Sequence, residues 1–386
     1  MAVAKLKPTL TLLLIAATVT TLVVWHRTQA QLHREIDSLR QQIAELHADK
    51  ESLSNQVASA KAMRAPRHLP ALPVQLPAST NTSVEDSQPI NVFARFNDKP
   101  PKLTAAQVES YLKANGRKVS NLLAAYRTSG DPALLNEAME KYPSDPQVAF
   151  EAIFDKDLSA EQRRQWLNAF KASAPDNALA NYLSAREYLS LGQTEPAVQD
   201  LNAASIKPQF ENYTLERWVD DDEAYLSAGY SELDAKYLAT TGLLLPQLAP
   251  LKQLGMDLVD MAKSYSQSGD QTSAQAVLVM AMDLGQRYVP PSAGDGLVSQ
   301  LVGLVIQRNA LRAMDPNSPY GDNGQTVQDQ LAIVEQQRAA LKQLAGQSGS
   351  LLEKNTSDQD WNNYLQRWAL FGNLHASQWL VNKNGQ

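Results

Sequence analysis

Three patterns of apolar and polar positions succeed one another along the chain. From Pro8 to Trp25 runs an uncharged stretch of 18 residues, preceded by Lys5 and Lys7 and followed by His26 and Arg27. That length suits a helix crossing the hydrocarbon layer, with Trp25 at an interfacial position. Residues 1–27 therefore read as a short cytosolic tail and transmembrane anchor. A cleaved signal peptide ending near Thr28-Gln29-Ala30 is the alternative, but its apolar region would exceed the usual span of about 7–15 residues. Next, Leu32, Ile36, Leu39, Ile43, Leu46, Lys50, Leu53 and Val57 alternate at spacings of 4 and 3, an unbroken heptad seam. Ile at a with Leu at d favours two parallel strands, and Lys50 at an a position penalises other assemblies. Residues 28–62 thus read as a parallel coiled coil and the protein as a homodimer; a lone amphipathic helix is the alternative. From Thr104 onward the period is that of amphipathic helices, with no sustained alternation of β-branched residues, so the body reads as all-α.

Between rod and body lies a linker over 63–103. Residues 64–101 hold seven Pro and no Gly, a composition that imposes an extended spacer. Its NVFARF segment, Asn91 to Phe96, reads either as a docking motif or, preferably, as the first piece packed on the body. Caps mark the helix starts that follow. Thr104 with Gln107 and Ser159 with Gln162 form capping-box pairs, and Asp131-Pro132 and Asp145-Pro146 place an acceptor before a first-turn Pro. The pattern predicts helices over 104–115, 117–129, 131–142, 145–154, 159–173, 176–191, 194–206, 213–228, 231–245, 247–268, 271–285, 294–313, 325–347 and 357–381.

Two stretches of the body match at an offset of 77: Ala185 with Ala262, Tyr188 with Tyr265, Gly192 with Gly269, Ala197 with Ala274, Leu201 with Leu278 and Ala204 with Ala281. The small residues let two antiparallel helices approach, Gly ends the first, and Tyr and Leu fill the space between. This pattern resembles the tetratricopeptide repeat, whose period is about 34 residues. The clearest copies are 177–208 and 255–286. The offset leaves room for one more hairpin over 212–245, which lacks the small-residue and Gly signature, and for a nine-residue insertion. The expected architecture is an irregular tetratricopeptide-like helical-hairpin array over 104–386, preceded by a transmembrane helix and coiled coil. Its C-terminal helices, 325–386, would cap the stack, because Trp361, Tyr364, Trp368 and Phe371 form an aromatic stripe at helical spacing.

Composition narrows the chemistry. The chain has no Cys, which removes disulfides, thiolate metal sites and a thiol nucleophile. Net charge is −6, and residues 101–386 carry 24 Lys/Arg against 33 Asp/Glu, the opposite of a nucleic-acid footprint. His375 is the one His of the body and reads as packed. The run Asp220, Asp221, Asp222 and Glu223 reads as a solvated face, because only positions three or four apart converge on a helix. Asp315 to Gly324 fails calcium-loop spacing and reads as a turn. No phosphate loop, dinucleotide fingerprint, nucleophile elbow or zinc-protease motif is present.

The resemblance implies that the first helix of each hairpin lines a concave peptide-binding groove. On matching positions these residues are Leu179, Tyr182, Arg186 and Leu189, and Met256, Val259, Lys263 and Gln267. Arg186 and Lys263 occupy one repeat position, so two cations would face one groove and hold an acidic or C-terminal peptide. The expected function is a membrane-tethered protein–protein interaction scaffold or adaptor, not an enzyme, with no catalytic residues, no metal and no cofactor. Its partner would be another protein or peptide, and nucleic acid is not expected. A self-associating structural spacer of the cell envelope, or an enzyme with a carboxylate site, are the alternatives. The whole arrangement resembles bacterial membrane-anchored repeat proteins, which implies a single-pass inner-membrane protein with its C-terminal domain extracytoplasmic.

Overall fold

A computed structural model of the chain describes Phe96 and residues 101–288, 296–321, 324–353 and 356–385. The predicted anchor and coiled coil, and the linker apart from Phe96 and residues 101–103, lie outside the described residues. Among the described residues no helix is long and apolar enough to cross a membrane.

The body is all-α, with 14 helices and one two-stranded hairpin among the described residues. Local signals set the helix starts. Thr104 caps α1 (Ala105–Asn115) and Ser159 caps α5 (Ala160–Ser173), each with its reciprocal Gln contact. Asp131 and Asp145 accept from first-turn amides of α3 (Pro132–Lys141) and α4 (Pro146–Ile153), where Pro at the first position needs no donor. Between α1 and α3 lies α2 (Val119–Ser129).

Three hairpins follow, and all close the same way. They are α6 (Ala178–Ser190) with α7 (Thr194–Ser205), α8 (Thr214–Ser227) with α9 (Glu232–Gly242), and α10 (Leu248–Gln267) with α11 (Gln271–Gln286). Gly192, Gly229 and Gly269 stand at φ +71°, +95° and +86°, the left-handed region open to glycine. The next amide then turns back onto a tyrosine carbonyl: Gln193 to Tyr188 at 2.9 Å, Tyr230 to Tyr225 at 3.2 Å and Asp270 to Tyr265 at 2.9 Å. The 212–245 unit therefore does carry the glycine signature, contrary to expectation; Tyr225 and Gly229 keep the spacing of Tyr188 and Gly192. What it lacks is the small residues, with Asp222 and Asp234 where the other hairpins have Ala.

That difference decides where each hairpin goes. Sequence arithmetic places the 212–245 hairpin between the other two. Instead α6 packs on α10 and α7 on α11, while α8 lies against α2 and α1 and also reaches the C-terminal helix, on which α9 packs too. Alanines at 185, 197, 204, 262, 274 and 281 are all buried and permit the close hairpin packing. In contrast, α8 and α9 offer Trp218, Tyr225 and Tyr237, which need a larger aromatic partner surface.

The partner is α14 (Asp358–Asn384), which follows α12 (Leu297–Ala313), the hairpin β1 (Pro319–Tyr320) and β2 (Gln325–Thr326), and α13 (Val327–Glu353). Trp368 meets Trp218 at 5.5 Å between ring centroids, and Trp361 meets Tyr237 at 5.6 Å. The aromatic stripe thus returns to the α8–α9 hairpin and does not close the stack after α11. Gly372, at φ +80°, breaks α14 within the stripe's reach, so the buried phase of its first half does not carry into the second. His375 is accordingly exposed, where a packed side chain was expected.

Two hydrophobic cores result. One holds residues from 149 to 204 and from 248 to 334; the other holds 103–148, 218–239 and 361–380. The chain crosses between them four times. At the seam, Arg127 on α2 pairs with Asp221 on α8 at 2.8 Å and with Glu151 on α4 at 3.1 Å, and Glu151 also takes Arg217 at 3.0 Å. All four side chains are at most 10% exposed. Burial pushes the Glu151 carboxyl up, but Arg217 and Arg127 outweigh it and hold it below its ordinary value. Asp221, read as part of a solvated face, is therefore a buried structural anion. Its partner lies 94 residues away in sequence, which no local spacing reveals.

Phe96 stacks on Tyr237 at 5.8 Å, and the Leu103 amide donates to the Thr128 carbonyl at 3.0 Å. Phe96 of NVFARF thus packs onto the body, as the preferred reading of that motif holds.

Candidate interaction cleft

Where α6 and α10 meet, with the α4–α5 turn beside them, a cleft of about 500 Å³ opens. Its floor is apolar: Ile153, Leu167 and Leu183 reach it from the end of α4, from α5 and from α6, and Phe154 and Pro250 extend it. These residues sit there because each ends or bends an element. Phe154 is the C-cap of α4, and Pro250 lies in the first turn of α10.

Cations frame the rim. Arg163 donates to the carbonyls of Ile153, Asp155 and Leu158 and is spent on closing the end of α4. Lys156 projects from the turn into solvent. Arg186 lies 3.4 Å from Asp257 of α10, close enough for ion pairing, while Asp257 Oδ2 has no hydrogen-bond partner. Asp257 Oδ1 is already taken by Gln253 at 2.9 Å. The guanidinium of Arg186 therefore borders the cleft with donors to spare, while Asp155 and Glu187 give the rim mixed charge.

The eight groove residues expected from the repeat pattern are not brought to one surface. Leu179, Tyr182 and Val259 are 0%, 1% and 8% exposed and belong to the core. The reason is that α5, α7 and α10 cover α6 from several sides, so the face expected to line a groove is filled by protein. Leu189 is half-buried against the same core. Met256 is 41% exposed on α10. Lys263 pairs with Asp260 on its own helix at 2.9 Å and, with Gln267, borders a different cleft, between α10, α11 and the segment after α12. Arg186 and Lys263 thus face separate clefts, and the expectation of two cations over one groove is corrected.

Sequence reasoning missed Lys156, Ile153, Leu167 and Leu183. Their signal was present as the break between Phe154 and the Ser159 cap, a short turn that leaves the end of α4 uncovered. Among the described residues no three His, Asp or Glu side chains gather as metal ligands. The Asp315 carboxylate accepts from the Asn317 amide at 3.0 Å, the local turn expected there. Compared with protein-family models, curated proteins and solved structures, the chain matches none.

Proposed function

We propose that this protein is a membrane-tethered scaffold, not a catalyst, whose tetratricopeptide-like hairpins present the cleft beside Arg186 to a segment of another protein. The observation that carries the reading is the pairing of an apolar floor with a guanidinium that has unused donors. Such a site takes an apolar side chain and a neighbouring carboxylate together. In this reading the N-terminal segment anchors the chain in a bacterial inner membrane, and the coiled coil pairs two bodies outside the cytoplasm. Pairing raises avidity for a repeated target through effective concentration.

The test uses the full chain in cells, with a photo-cross-linking residue at Ser190 on this cleft or at Gln275 on the other. A discrete partner captured at Ser190, lost on Arg186→Glu and retained on Lys263→Glu, is the expected result. Capture of other copies of the chain alone would replace the scaffold by the self-associating spacer.

A further inference from the structure

On the opposite run of helices, three guanidiniums converge on one carboxylate. Arg308 and Arg312 stand one turn apart on α12, and Glu335 and Arg338 stand together on α13. Arg312 Nη2 donates to Glu335 Oε1 at 2.9 Å and Arg338 Nη1 to Oε2 at 2.7 Å, while Arg308 Nε lies 3.9 Å from Oε1. Arg308 otherwise donates to its neighbour Asn309 at 3.3 Å.

The arrangement is short of acceptors. Each guanidinium offers about five N–H donors against roughly four lone-pair sites on a carboxylate. Arg308 Nε and Arg338 Nε are both buried without a hydrogen-bond partner, and among the described residues no other carboxylate lies in ion-pair contact with the three. Side-chain exposures of 22%, 56% and 19% leave the cluster open along its Arg312 side. Its surplus is two positive charges, in a part of the chain where acids outnumber bases by 33 to 24. Repulsion among three like charges opposes this clustering unless a further anion joins it.

We infer that Arg308, Arg312 and Arg338 form a binding site for a dianionic phosphate, either inorganic phosphate or a terminal phosphate monoester. The surplus charge matches a phosphate of about −1.5 to −2 near neutral pH. Forked guanidiniums on two helices match several oxygens of one tetrahedral group, as a single lysine would not. Glu335 holds the arginines in register and at the same time competes for them. This site lies on helices that do not line the cleft beside Arg186, so it stands or falls apart from the scaffold reading.

The experiment is calorimetric titration of the full chain in detergent with inorganic phosphate, glycerol 3-phosphate and dimethyl phosphate, the last a monoanionic diester. Inorganic phosphate or the monoester should bind with Kd on the order of 0.1 mM and the diester at least about tenfold more weakly. Binding of the monoester alone assigns the site to a phosphorylated molecule; binding of both admits the free ion. Arg312→Gln, the most exposed of the three, should weaken binding about tenfold, and Glu335→Gln should tighten it by a similar factor. Absence of binding by either dianion, equal binding of the diester, or affinity unchanged in both variants would leave the cluster a surface ion-pair network and overturn the site. Glu335→Gln keeps the test sound if an arginine variant misfolds, because it predicts a gain.

Discussion

Arg127 and Asp221 are 94 residues apart in sequence, yet their side chains meet at 2.8 Å at the seam between the two cores. The contact locks α2 to α8 and, through Glu151, to α4. Buried charges of this kind are expensive to unmatch, because removing one leaves its partner desolvated and alone.

Asp221→Ala should therefore destabilise the fold by about 3–5 kcal/mol. Asp220→Asn, one position away and outside the quartet, should leave stability equal or higher near neutral pH. Urea denaturation followed by circular dichroism checks both. A loss below about 1 kcal/mol for Asp221→Ala would mean that the quartet is solvated in solution.

Gly229→Ala is expected to cost about 1–2 kcal/mol, since its φ of +95° is strained for any residue with a Cβ. Nothing lies within 4 Å of a Cβ built there, so the cost is conformational and not a clash. Gly346→Ala, in the exposed middle of α13 with the same open space, should stabilise by about 0.5–1 kcal/mol. Opposite signs from one substitution type separate the two mechanisms, and thermal unfolding of both variants reads them.

Acid should relieve one strain. Burial pushes Asp222 up to about 6, with Lys236 pulling it down and Glu232 pushing it further up. Burial likewise pushes Asp220 up to about 6, against the pull of Arg127. Below the ordinary aspartate range both folded and unfolded chains are protonated here and no charge is buried. As pH rises the unfolded chain ionises first, so this contribution to stability falls until pH passes about 6 and is then lost. Asp222→Asn should accordingly raise the urea midpoint near pH 7 and leave it unaltered near pH 4. An equal gain at both pH values would show that the aspartate is ordinary.

Phe96→Ala should lower stability by about 1–2 kcal/mol through loss of the stack on Tyr237. It should also expose the linker to proteolysis close to the body. Limited proteolysis with mass spectrometry checks this, and unchanged cleavage sites would show that the ring does not hold the linker.

The secondary structure was largely legible because its causes are local. The Thr104 and Ser159 boxes and the Asp-Pro starts at 131 and 145 read correctly from four-residue windows. The Ala/Tyr/Gly match likewise found two real hairpins. What local windows could not supply was placement. Tyr225 and Gly229 were visible, but without alanines the third hairpin looked foreign, and nothing near Asp221 announces Arg127. The cleft was less legible still, because Leu179, Tyr182 and Val259 satisfy the repeat pattern while a neighbouring helix covers them. Arg186 alone among the expected groove cations kept its role at a cleft that also holds apolar surface.

A row of repeats that touch only their neighbours can be lengthened, shortened or frayed from an end, one unit at a time. Here the polypeptide is laced back and forth, so deleting the hairpin of Tyr225 and Gly229 would strip one core of its middle while leaving the other core's strand of chain unjoined. The body should melt in a single step, and variation in the number of hairpins among proteins of this design should be rare.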